Sequence, residues 1–239
     1  MTLAARDPDL VELMDDPACD PERLRATLRR FGTINRFVSG WGTAYRATLA
    51  PFLRTLDRPA RVLDLGSGGG DLALRLARLA ARDGLAVRWT GADPDPRAHE
   101  VASARNAPAN VVFRCTDAAT LVATGETYDA VLSNHVLHHL GAEVPGFFAQ
   151  SRELARGIVL HGDIARSRLA YGLYGVGITP FAPGTFLRTD GLRSIRRSYT
   201  RPELQDLLDR DDPGVWSVER PVPFRLLAVS RSGQGERHA

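Results

Sequence analysis

Residues 62–82 constrain the fold more than any other stretch. Val62-Leu63-Asp64-Leu65 is a short, mostly apolar run that ends in glycines, the signature of a strand buried on both faces of a parallel sheet. Gly66-Ser67-Gly68-Gly69-Gly70 follows, and then a segment with Leu72, Leu76 and Leu79 on one helical face. Strand, glycine turn and helix in that order begin a parallel crossover unit. The rest of the chain continues the alternation. Strands are expected over residues 86–92, 110–115, 128–133 and 157–161, with helices over 96–106 and 143–155. That order predicts an α/β fold with a doubly wound, mostly parallel sheet. Two final strands, 215–220 and 224–230, are joined by Pro221-Val222-Pro223. This link is too short for a helical crossover, so the pair should run antiparallel.

The flanks read differently. The first sixty residues are helical in character. Asp20-Pro21-Glu22 supplies a cap, a proline at the first helical position and an early acid. Helix is expected over 22–31, a short piece over 35–40, and helix again over 42–56. Another helix should start at Arg201-Pro202-Glu203 and reach about Arg210. The tail from Gly233 is expected to fray.

Composition excludes several functions. All 31 basic residues are arginine, so Schiff-base chemistry and a phosphate-loop lysine are out. The formal net charge of +3 is mildly basic and dispersed, which does not predict a nucleic-acid partner. Cys19 and Cys115 match no metal-ligand spacing and make no disulfide framework. Together with an N-terminus that lacks a basic segment followed by an apolar one, they predict a cytoplasmic protein. Residues 169–187 carry no charge over nineteen positions, near bilayer-spanning length. Gly172, Gly175, Gly177, Pro180, Pro183 and Gly184 interrupt them, so no membrane span is expected.

The glycine loop carries the chemistry. Glycines let backbone approach a ligand with no Cβ in the way, and the helix behind adds free N–H groups. Dinucleotide sites want G-x-G-x-x-G. Counting from Gly66, the third glycine falls on Asp71; counting from Gly68, it falls on Ala73. An acid there would repel a pyrophosphate. The pattern acid-x-Gly-x-Gly-x-Gly is met in full by Asp64, Gly66, Gly68 and Gly70. Asp93 ends the second strand, where an acid can accept hydrogen bonds from ribose hydroxyls, although Asp-Pro-Asp-Pro is also strong turn chemistry. Asp117 follows the third strand, and doubles as a helix N-cap candidate.

These motifs resemble the class I S-adenosylmethionine-dependent methyltransferases over residues 61–161. The resemblance implies a Rossmann-like seven-stranded sheet with an antiparallel C-terminal strand. It implies S-adenosylmethionine as cofactor, leaving as S-adenosylhomocysteine. The loop residues Asp64, Gly66, Ser67, Gly68 and Gly70 would hold the methionine part, Asp93 and Pro94 the ribose, and Asp117 and Ala118 the adenine. Asn134 would face the cofactor, and Arg36, on an N-terminal helix, would meet the methionine carboxylate. Leu137-His138-His139-Leu140 is similar to the ubiquinone and menaquinone C-methyltransferases and their small-molecule relatives. His138, His139 and His161 are candidates for a general base near the acceptor, each equally readable as a packed histidine. No cysteine or regularly spaced acid accompanies the His pair, so no metal is expected.

Residues 164–200 are too many for a plain connection. They carry Tyr171, Tyr174, Phe181 and Phe186 among glycines and prolines, which suggests a cap over an apolar or aromatic acceptor. Ile195-Arg196-Arg197 reads as a short extended piece, and Arg193, Arg196 and Arg197 could hold an acidic acceptor or form a salt-bridged surface. The expected organisation is a helical lid over 1–59 and a methyltransferase domain over 60–239 with its cap inserted at about 164–200. The expected reaction is methylation of a small molecule in secondary metabolism, on oxygen first, then carbon or nitrogen, by a chain that could be a homodimer. An NAD-dependent oxidoreductase, a non-catalytic cofactor-binding module and a protein using the sulfonium for other chemistry stay open at this point.

Overall fold

The computed structural model describes residues 3–232; the expected fraying from Gly233 lies outside them. Helix α1, Pro21–Val38, starts where Asp20 caps it, its carboxylate accepting from the Glu22 and Arg23 amides. It runs through the expected break at 32–34 as one helix. Gly40, at φ 75°, turns the chain into α2 (Trp41–Ala44), a π turn (Tyr45–Leu49) and α3 (Ala50–Leu53). The alternating body follows: β1 Ala60–Leu65, α4 Asp71–Arg82, β2 Val87–Asp93, α5 Pro96–Ser103, β3 Val111–Cys115, α6 Ala118–Ala123, β4 Tyr128–Asn134, α7 Val144–Leu154 and β5 Ala155–Ile164. Then come α8 Arg168–Gly177, α9 Leu187–Arg197, α10 Arg201–Asp211, β6 Ser217–Glu219 and β7 Arg225–Arg231.

The seven strands order as β3-β2-β1-β4-β5-β7-β6. β1 to β5 are parallel, and β7 is antiparallel to both β5 and β6. This is the expected Rossmann-like sheet. Alternation along the strands sorts the core into two layers. Val62, Trp89, Ala130 and Leu160 pack under α2 to α4 with Trp41, Tyr45 and Leu76. Leu63, Val131 and Val159 pack on the other face with Phe148, Leu204 and Trp216. The order reverses at β1, whose neighbours β2 and β4 send their crossovers to opposite faces. A crevice opens there, at the C-terminal strand ends, where such sheets bind ligands.

Residues 164–200 form two helices. Ile195, Arg196 and Arg197 are helical, not extended: Leu187, Asp190, Ser194, Ile195 and Arg197 recur at helical spacing and make the buried face of α9. What that face buries explains its polarity. The Asp190 carboxylate accepts from the Leu13 and Met14 amides at 2.8 and 3.0 Å. Arg193 donates to the Val11 carbonyl at 2.7 Å, Arg196 pairs with Asp7, and Arg197 pairs with Asp15 at 3.2 Å. The three arginines therefore tie down the N-terminal segment, and the reading that they hold an acidic acceptor is replaced by this one. No helix among the described residues is long and apolar enough to cross a membrane. The uncharged run breaks after Gly177, at the end of α8.

Candidate active site

The C-terminal ends of β1 and β4 open into one cavity of about 1080 Å³. That is at the top of the range for small-molecule pockets. Its lining takes in the loop side, with Gly66, Ser67, Gly68, Asp64, Asp93 and Pro94, and the histidine side, with Glu12, His138, His139, Tyr174 and Arg225, together with Asn134 and His135.

At the loop end, Gly66, Gly68 and Gly70 all have positive φ. Only at Gly66 and Gly68 does this present backbone to the cavity; Gly70 does not line it, and a Cβ there would enter the Phe113 ring. Asp64 is 1% exposed and its Oδ2 has no partner among the described residues. Burial, and then Asp71 beside it, pushes its carboxyl well above the usual range. Such an orphan oxygen fits an ammonium group. Asp93 accepts from the Gly68 amide at 2.7 Å and the Asp95 amide at 2.9 Å. These bonds leave lone pairs on a carboxylate that has about four, enough for a ribose diol. Asp71, the misfit to a dinucleotide loop, accepts from Asn35 Nδ2 at 3.1 Å. Arg36 lines the same end together with Arg46 and Arg75. Burial and the two neighbouring guanidiniums lower the Arg75 pKa, the electrostatics of a seat for an anion.

Asp117 and Ala118 stand outside the cavity lining. The Asp117 carboxylate accepts from the Thr120 amide at 2.8 Å and caps α6. The cap takes one lone pair of this carboxylate and leaves others open, so the expected adenine contact stays a proposal beside the cap.

At the far end the structure brings together residues the sequence kept apart. His138 Nδ1 lies 2.7 Å from Asp163 Oδ1, and its amide donates to Asp163 Oδ2 at 3.0 Å. Its Nε2 faces Glu12 Oε1 at 3.4 Å. Burial alone would push the imidazolium pKa down; Asp163 and then Glu12 outweigh it and carry it up to about 9. Burial likewise opposes the Asp163 and Glu12 carboxylates, yet His138 holds both below their usual range. His139 Nδ1 lies 3.2 Å from Asp15 Oδ2. Donor atoms of Glu12, His138 and His139 lie within 4.8 Å of one another, a spacing a cation could share. The premise that no acid accompanies the His pair is thus corrected, because the fold supplies Glu12 and Asp15 from the N-terminal segment. Positive charge already reaches this cluster from Arg197, 3.7 Å from Glu12.

His161 is not part of the site. It is fully buried on the opposite face of the sheet, among Phe147, Phe148 and Trp216. Its Nδ1 meets the Ser133 hydroxyl at 2.7 Å, its Nε2 has no partner among the described residues, and burial lowers its pKa to about 3. A histidine held neutral in an apolar layer cannot reach an acceptor. His161→Leu is therefore expected to shift stability by about 1 kcal/mol and to leave kcat within about twofold. A loss of several hundredfold in kcat at unchanged stability would return His161 to the chemistry.

Glu12, His135 and Arg225 line the cavity without having been singled out for it in the sequence, whereas Tyr174 and Phe181 of the expected cap line it as well. Glu12 lies in an irregular segment with no motif around it, and Arg225 opens a strand read only as apolar. His135 stands inside the noted Asn134–Leu140 run; its φ of 64° is rare for a non-glycine residue.

Sequence comparison agrees with this geometry. A methyltransferase domain model matches residues 62–157. The chain is 36% identical over 184 residues to the ubiquinone biosynthesis O-methyltransferase of Methylocella silvestris, which covers 72% of this chain and 68% of that protein. The corresponding protein of Mesorhizobium japonicum is 36% identical over 121 residues, 49% of this chain and 46% of its own length. The chain thus spans about half the length of some of the curated relatives it matches. Among solved structures, the plantazolicin methyltransferase BamL, in complex with a triazolic desmethylPZN analog and SAH, shares the fold. Its TM-score is 0.60 at 14% identity, over 92% of this chain and 97% of that one. BpumL, likewise a plantazolicin methyltransferase, gives 0.59 at 15% identity, over 87% and 96%. The acid-x-Gly-x-Gly-x-Gly loop sits at the switch point of a seven-stranded sheet of this order, and sequence identity extends across two thirds of a curated relative, so the chain belongs to the class I S-adenosylmethionine-dependent methyltransferases.

Proposed function

We propose that this chain transfers a methyl group from S-adenosylmethionine to an apolar or aromatic small molecule, on a hydroxyl oxygen in preference to carbon or nitrogen. The observation that carries this reading is the single cavity joining the glycine loop to the Glu12–His138–Asp163 cluster. The family's membership closes the dinucleotide alternative left open by the glycines. The curated relatives named above are O-methyltransferases, which favours oxygen. A role in secondary metabolism is part of the proposal.

The bound cofactor supplies a sulfonium-activated methyl group. The protein's share is alignment, exclusion of water and management of one proton. The backbone of Gly66, Ser67 and Gly68 approaches the methionine part closely, the orphan Asp64 oxygen takes its ammonium, and Arg36, Arg46 and Arg75 take its carboxylate. Asp93, with Pro94 beside it, accepts from the ribose hydroxyls. Asn134 ends β4 at the junction between the two halves of the cavity. Asp163 holds Nδ1–H of His138, and Nε2, which faces Glu12 at 3.4 Å, takes the acceptor proton once the imidazolium has lost its own. Residues 1–59 act as a lid and about 164–200 as a cap, closing the site over the body formed by 60–239.

The test is S-adenosylhomocysteine release from S-adenosylmethionine with a panel of alkylated phenols, the matching anilines and the matching arenes without a heteroatom. The account expects turnover on phenols first. Turnover on anilines alone, or on no member of the panel, would overturn the oxygen assignment.

A further inference from the structure

Three arginines are buried among the described residues: Arg166, Arg197 and Arg225. Burying an unpaired guanidinium is costly, so buried arginines are normally paired. Arg166 pairs with Glu203, and Arg197 with Asp15 and Glu12. Arg225 departs from that rule. It is 9% exposed, and no carboxylate of the described residues lies within 4.0 Å of it. Its Nε donates to the Val38 carbonyl at 2.6 Å, and Nη1 meets His135 Nε2 at 2.7 Å. Nη2 meets no acceptor among the described residues.

Both Arg225 and His135 line the cavity. Arg225 is only a donor, so His135 Nε2 is the acceptor and its proton sits on Nδ1. Burial, and Arg225 itself, keep this imidazole neutral. His135 is fixed in its unusual backbone conformation by donating its amide to the Gly162 carbonyl at 2.9 Å. A strained residue held against an unpaired buried cation suggests a binding function. The cofactor end has its own guanidiniums in Arg36, Arg46 and Arg75. Arg225 sits between these and the His138 cluster: its partner Val38 adjoins Ser39, which Arg75 holds at 3.2 Å, and His135, on its other side, precedes His138 by three residues. The same cavity has apolar lining from Ala170, Leu173 and Ile178.

We infer that Arg225, backed by His135, seats an anionic oxygen group of the acceptor, which is therefore an apolar or aromatic molecule carrying a carboxylate or the conjugate base of an acidic enol. A guanidinium presents a fork matched to either group. The acidic acceptor suggested by the arginines of α9 thus finds its partner on β7 instead. This inference rests on the methyltransferase reading and names the acceptor class of the same site.

The test is calorimetry on the protein saturated with S-adenosylhomocysteine, using three probes. They are 4-hexyl-2-hydroxybenzoate, its neutral methyl ester, and 4-hydroxy-6-hexyl-2-pyrone as the acidic enol. The expected result is that the carboxylate or the pyrone binds at least about tenfold more tightly than the ester, the scale of one charge-assisted hydrogen bond. The probe that does so identifies which anion the seat takes. Arg225→Gln should erase that preference while ester and S-adenosylhomocysteine affinities stay near wild type. An ester bound as tightly as both anions, no binding of any probe, or an Arg225→Gln variant that weakens S-adenosylhomocysteine as much as the anions would overturn the inference. The wild-type preference needs no variant, so it decides the matter even if Arg225→Gln does not fold. Failure of S-adenosylhomocysteine itself to bind the wild-type protein would instead strike the methyltransferase reading.

Discussion

His138→Asn is expected to lower kcat for methyl transfer to a hydroxyl by about 10²- to 10⁴-fold, the usual worth of a positioned general base, with cofactor affinity near wild type. Asparagine can still donate to Asp163 and fills much of the same volume, but has no basic nitrogen. The wild-type pH profile carries the same signature. His138 titrates at about 9 because Asp163 and Glu12 favour its charged form over the penalty of burial. Only the neutral imidazole accepts a proton, so kcat/KM should rise with pH and level off near 9, and the variant should lose that limb. Stability runs the other way. A pKa raised from 6.5 when unfolded to about 9 when folded stabilises fully below about 6.5, and that contribution disappears as pH rises through 9. The gap in Tm between wild type and variant should close over the same range. A flat rate profile from neutral pH to 10, or a variant with a tenth or more of wild-type kcat, would remove His138 from the base role.

Gly66→Ala attacks the cofactor half. Gly66 has φ 66°, and a Cβ there would lie 2.5 Å from Val136 Cγ2. Left-handed backbone costs an L-residue about 1–2 kcal/mol, and the collision adds a repacking cost of about 1–3 kcal/mol. The loop must move away from the position in which its backbone, with the Gly66 amide bonded to the Ala92 carbonyl at 2.8 Å, faces the cavity. A loss of about 3 kcal/mol corresponds to about 10²-fold in S-adenosylhomocysteine affinity. Gly84→Ala is the control. It too has a positive φ, 70°, but has nothing within 4 Å and lies outside the cavity, so it should lose stability without losing affinity. Adding Val136→Ala to Gly66→Ala should restore part of the affinity, since it removes the collision and leaves the strain.

Much of this molecule was legible because periodicity reports burial. Helix Asp71–Arg82 has the expected bounds, since its leucine face and the glycine before it are local signals. The antiparallel pairing of β6 with β7 followed from the length of a link. The errors arose where tertiary contacts override local signals. The face of α9 is polar because its partner is the backbone and acids of residues 7–15, so no apolar stripe marked the helix there. His161 looked catalytic from its strand-end position, yet its side chain points into the apolar layer below. Glu12 and Arg225 were missed because a lone acid in coil and a lone arginine in a strand carry no spacing at all. Only the fold sets them against His138 and His135.

The central claim is that the loop over residues 64–70 holds S-adenosylmethionine. Titration of the purified wild-type chain with S-adenosylhomocysteine in a calorimeter tests it most directly. The account predicts one equivalent bound at micromolar affinity or better, weakened about 10²-fold by Gly66→Ala and unchanged by Gly84→Ala. No measurable heat of binding to the folded wild-type protein, or binding that Gly66→Ala leaves untouched, would contradict it.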